Sequence, residues 1–156
     1  MDGGPAYHRQ AAALTRRGLS AVLLEAPGQG ETRIFGDSRF GACCVNGAPS
    51  RPEPAPFRTA AEQSQALLGA GSDAEVAAVF RTLWIDSAVD RTSAAVLVLH
   101  GEADPLITLD QQRPFLDLSA DSSLRVWEDG EHTIYNHSAK RTDFVADWFR
   151  HQLNRG

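Results

Sequence analysis

Residues 94–105 read Ala94-Ala95-Val96-Leu97-Val98-Leu99-His100-Gly101-Glu102-Ala103-Asp104-Pro105. The run Ala94 to Leu99 is apolar without interruption. So short a run, rich in valine and leucine, predicts a strand covered on both faces, as in a parallel sheet. Working outward, Ser123 to Trp127 is a weaker strand, Gly41 to Val45 (GACCV) another between turn residues, and Leu19 to Leu24 a fourth. Helical patterns separate them. Ala6 to Arg17 is closed by Gly18, and Thr59 to Leu68 is built of good helix formers. In Ser72 to Trp84, Ser72 and Glu75 form a capping box ahead of the apolar stripe Val76, Val79, Phe80 and Leu83. Ser138 to Leu153 presents Phe144, Val145, Trp148, Phe149 and Leu153 on one face. Ala48 to Pro56 (APSRPEPAP) is a loop, because its prolines forbid helix. Strands alternating with helices predict an α/β chain, a three-layer sandwich around a short parallel sheet.

The chain has 156 residues, of which 42% are hydrophobic and 22% charged, a length and composition suited to one domain, 1–156, with a buried core. A net charge of -5 excludes a nucleic-acid footprint, which needs clustered positive charge. The arginines are scattered, with no run longer than Arg16-Arg17. A small molecule or a protein is the expected partner. The only cysteines, Cys43 and Cys44, are neighbours and cannot staple distant segments, so a cytoplasmic setting is expected. No apolar run approaches the roughly 20 residues that span a bilayer. His100, His137 and His151 lack the spacing of a metal site, and no phosphate loop or dinucleotide fingerprint occurs, so neither metal nor cofactor is expected.

Chemistry concentrates past two strand ends, at Asp104 and in Glu128-Asp129-Gly130-Glu131-His132. Loops leaving the carboxyl edge of an open parallel sheet are where ligands bind, because helix N-termini and loops converge there. An Asp followed about thirty residues later by a His, each after a strand, is the acid-then-base order of hydrolases built on such sheets.

The segments LLEAPGQGETR, VLVLHGEADPLI and EDGEHTIYN resemble the α/β-hydrolase superfamily. Within it they look most like the dihydroxypseudooxynicotine hydrolase group of carbon-carbon bond hydrolases and related esterases. The resemblance implies a hydrolase of ester, amide or carbon-carbon bonds in a small carbonyl substrate, on a truncated form of that fold. His132 would be the general base and acid, and Asp104 would fix its tautomer and stabilise the imidazolium. Leu19 to Gly30 resembles the family's strand and PGxG turn, where Gly28 and Gly30 permit positive φ. Gly3-Gly4 resembles a remnant of the oxyanion loop, and Asp37 to Pro49 the strand that follows the nucleophile helix.

The nucleophile elbow, G-x-S-x-G on a strand-to-helix turn, is missing. About a dozen residues separate Gly30 from Cys43, whereas the absent strands and helices need upwards of ~30. Two substitutes remain. Ser38, in Gly36-Asp37-Ser38-Arg39-Phe40, mimics an elbow until Phe40 fills the position that must be glycine. Cys43, in Gly41-Ala42-Cys43, is similar to the cysteine elbow of dienelactone hydrolases, but in an apolar strand it reads as a small core residue with a protonated thiol. The rival expectation is therefore an inactive, truncated hydrolase that binds a small molecule, self-associates or completes a partner chain.

Overall fold

A computed structural model describes residues 41–54 and 57–155, together with Arg16, which sits in a turn. The expected strand Leu19–Leu24, the rest of the helix Ala6–Arg17, Gly3, Gly4, Gly28, Gly30 and Ser38 lie outside the described residues.

The element order is β1 (Ala42–Asn46), α1 (Arg58–Leu68), α2 (Asp73–Arg81), β2 (Ala95–Gly101), α3 (Leu109–Gln112), a 3-10 segment Arg113–Leu118, β3 (Ser122–Trp127), a second 3-10 segment His132–His137 and α4 (Ser138–Leu153). Among the described residues the sheet has three strands in the order β1-β2-β3, all parallel. Cys43 pairs with Val96 and Leu97 with Ser123. The valine-rich run is the central strand, and every residue of β2 is buried. It continues two residues past Leu99, because His100 and Gly101 still find partners in Val126 and Trp127.

Successive side chains of β2 point to opposite faces. Leu97 and Leu99 join Ile134 in a core against which Cys44, Trp127, Phe144, Val145 and Trp148 pack, so α4 covers this face. Trp127 and Phe144 meet edge to face at 5.6 Å. On the other face Val96 and Val98 are buried, and His100 Nδ1 lies 2.9 Å from Gln112 Oε1. The Gln112 amide in turn donates to the Leu99 carbonyl at 3.3 Å. Both faces of β2 are thus covered, as a run without alternation requires, whereas Ser123 to Arg125 of β3 are exposed.

The helices follow their caps. Ser72 accepts from the Glu75 amide at 3.3 Å, but the Glu75 carboxylate accepts from Gly71 at 2.7 Å, one residue earlier than in the expected box. α2 stops at Arg81, not Trp84. The Thr82 hydroxyl donates to the Val79 carbonyl, and Leu83 and Trp84 bond three residues back, tightening the chain out of α geometry. Of the expected stripe Val76 is buried, Phe80 and Leu83 are half-buried and Val79 is exposed. Thr108 and Gln111 form a reciprocal capping box that starts α3, an element the sequence reading did not include. The proline-rich loop has no helix or strand over its described residues 48–54. It is fastened through buried Ser50, whose amide donates to Gln111 and whose carbonyl accepts from Ile85.

Candidate active site

β2 and β3 end level, with Gly101 opposite Trp127. The loops leaving them touch backbone to backbone. A Cβ on Gly101 would overlap the Gly130 carbonyl, and one on Gly130 would meet the Gly101 Cα at 2.9 Å. The close approach lets the loops bond directly: Glu102 donates to Trp127 and Ala103 to Gly130, both at 2.9 Å.

This crossing sets Asp104. Its amide donates to the Gly101 carbonyl at 3.0 Å. Its Oδ1 accepts from the amides of Leu106 at 2.8 Å and Ile107 at 3.1 Å, an arrangement that Asp before Pro favours. The other oxygen, Oδ2, lies 2.9 Å from His132 Nδ1. The Asp104 side chain is 2% exposed and that of His132 37%. Burial pushes the Asp104 carboxyl up. The Leu106 amide, the His132 ring and the Ile107 amide together outweigh it, so the group titrates below its ordinary value and is ionised at neutral pH.

His132 rests against the end of β1. Gly47 there has φ +68°, and a Cβ on it would meet Thr133 Cγ2 at 2.7 Å and His132 Cε1 at 3.2 Å. After His132 the chain makes a left-handed turn, Thr133 at φ 56°, ψ 13° and Ile134 at φ 56°, ψ 41°. The Thr133 carbonyl accepts from Asn46 Nδ2 at 3.1 Å and from Arg141 Nη1 at 2.5 Å. Asn136 closes the same loop, donating to the Asp129 carbonyl at 2.7 Å while its Oδ1 accepts from the Glu131 amide at 3.1 Å.

The structure therefore brings together the two residues singled out from the sequence. It does not bring a nucleophile to them. Among the described residues His132 bonds to Asp104 and to no hydroxyl or thiol. Cys43 and Cys44 sit in mid-strand, paired with Val96 and Leu97. Cys43 is four residues before Gly47, about 13 Å along an extended chain. Burial pushes the Cys43 thiol up. Burial and then the neighbouring Cys43 push Cys44 to about 12, against a small opposing pull from Arg141. Both are protonated and poor nucleophiles. Ser38 lies outside the described residues. No group of three or more His, Cys, Asp or Glu among the described residues is placed to hold a metal ion. No helix among them is long and apolar enough to cross a membrane.

Asn46, Gly47, Thr133 and Arg141 are site residues that the sequence reading gave no role. For Arg141 a signal existed. It stands three, four and seven residues before Phe144, Val145 and Trp148, on the apolar face of α4, where an arginine needs a reason.

Fold and site define an α/β protein with a carboxylate-histidine pair at the carboxyl edge of a parallel sheet. Among solved structures the chain is similar to the 2,6-dihydroxy-pseudo-oxynicotine hydrolase, an α/β-hydrolase, with a TM-score of 0.60 and 19% sequence identity. The match covers 75% of this chain and 34% of that one, so the chain spans about a third of the length of the hydrolase it resembles. At that identity the likeness is one of fold. No protein-family model and no curated protein matches the chain.

Proposed function

We propose that this chain is an α/β-hydrolase-type protein on a truncated, three-layer form of that fold, in which Asp104 and His132 are the acid and base for hydrolysing an ester, amide or carbon-carbon bond in a small carbonyl substrate. The observation that carries this is the 2.9 Å contact between His132 Nδ1 and Asp104 Oδ2, made by loops leaving adjacent parallel strands in acid-before-base order. Ionised Asp104 can only accept a hydrogen bond, so Nδ1 donates to it, and in the neutral ring Nε2 then carries the lone pair. That lone pair takes a proton from a hydroxyl or water, and the carboxylate stabilises the imidazolium that forms. Without a nucleophile held at Nε2, the pair activates water, and most of a full triad's rate is lost.

One observation favours a second reading. The thiols of β1 are protonated and far along the strand from His132, and no other described hydroxyl or thiol reaches it. On that reading the chain is an inactive hydrolase derivative that binds a small molecule, self-associates or completes a partner chain.

The test compares purified wild type with His132→Ala on a panel of small activated esters, alongside a fluorophosphonate probe and a thiol probe with adducts located by peptide mass. The expected result is slow turnover that falls to background in His132→Ala, with no covalent adduct. Wild type no faster than His132→Ala would leave the second reading standing. Stoichiometric labelling of Ser38 or Cys43 that vanishes in His132→Ala would instead establish a full covalent mechanism.

A further inference from the structure

The turn after His132 is held in a conformation its residues do not favour. Thr133 and Ile134 are both β-branched and both have φ 56°, a region where crowding at Cβ makes such residues rare. Conformations of this kind persist only where the surroundings over-determine them. Here two donors distant in sequence converge on one acceptor, the Thr133 carbonyl. Asn46 is the last residue of β1, and Arg141 lies in the first turn of α4. The carbonyl is thus gripped from the sheet and from the helix at once. Arg141 is 5% exposed, and a buried guanidinium is costly unless it is paired or hydrogen-bonded, which its bond to the Thr133 carbonyl helps to provide.

We infer that Asn46 and Arg141 are positioning residues for His132, fixing through the Thr133 carbonyl the left-handed turn that aims the imidazole at Asp104. The inference rests on reading Asp104 and His132 as an acid-base pair. Were Thr133 and Ile134 to relax to right-handed dihedrals, this carbonyl would swing away from both donors. The far end of the turn cannot follow, because Ile134 is fully buried in the core with Leu97 and Leu99. The displacement therefore falls on His132, the partly exposed end. Position 47 admits this arrangement only as glycine, since a Cβ there would stand 3.2 Å from His132 Cε1 and 2.7 Å from Thr133 Cγ2.

The experiment is long-range proton-nitrogen correlation NMR of the His132 ring in mildly alkaline buffer, which reports the nitrogen that carries the proton. Wild type should show one tautomer, protonated at Nδ1, and Asp104→Asn should disturb it. Arg141→Met and Asn46→Ala, with native circular dichroism, should each lose the single pattern and show mixed tautomers. Val76→Ala, a core change in α2, should keep the wild-type pattern, which separates positioning from general loss of stability. If Arg141→Met does not fold, Asn46→Ala decides alone. Folded variants that retain the wild-type ring pattern would overturn the inference while leaving the acid-base pair intact. A ring pattern unchanged in Asp104→Asn would overturn the pair itself.

Discussion

Asp104 is almost sealed from water, yet it carries charge, because two backbone amides and the His132 ring bond to the ionised form. A carboxyl that titrates lower in the folded chain than in the unfolded one binds its proton last in the native state. Its contribution to stability is complete above the ordinary aspartate range, near pH 4, and disappears as pH falls through the lowered native value. Asp104→Asn should therefore flatten the acid limb of stability against pH. Urea unfolding of both proteins between about pH 3 and pH 7 measures it, and parallel acid limbs would count against the bonding described. Gly101→Ala tests the crossing of the two loops. The added methyl overlaps the Gly130 carbonyl, backbone that has no rotamer to retreat into, so a loss at or above the overpacking range of about 1–3 kcal/mol is expected. Equilibrium denaturation at neutral pH reads it.

At the scale of elements, strong local patterns were legible and long-range contacts were not. The helix read at Ser138 to Leu153 is α4 over those same residues, because its aromatic stripe has one core to meet. The strand read at Ala94 to Leu99 lacked its last two residues. His100 and Gly101 look like loop, and only pairing with β3 makes them strand. α3 was missed although Thr108 and Gln111 carry its capping box, since Pro114 follows so soon that no helical period develops. Asp104 and His132 stood out because each follows an apolar run, whereas Asn46 reaches Thr133 across 87 residues and no local pattern announces it. The cap of α2 was legible only in part, with Glu75 turned to Gly71. Ser72 still accepts from the Glu75 amide, so Ser72→Ala should lower stability by about 1 kcal/mol. A denaturation midpoint unchanged from wild type would show that the Ser72 cap adds nothing measurable to the helix.

For the whole molecule, large apolar side chains lie outside the core. No residue of α1 is buried, and Phe57, Leu67, Trp84 and Val89 are exposed. Among the described residues β1 pairs only with β2, so one edge of that strand takes no partner from them. Exposed apolar side chains favour association, and self-association is the part of the second proposed reading that they support. Sedimentation velocity should show mass rising with concentration, and a monomer throughout the accessible range would exclude it. The contact between Gly101 and Gly130 bears on the history of such a chain. Its constraint is steric and serves the fold whether or not any bond is ever cleaved, so selection for folding alone keeps both glycines. Asp104 and His132 carry no such steric constraint, and of the two only Asp104 adds to stability through bonds to backbone amides. In a lineage released from selection for chemistry, drift should erode the pair first and spare the glycines. Among descendants of this sequence, loss of Asp104 and His132 beside an intact glycine pair would mark the branches in which the proposed catalysis was abandoned.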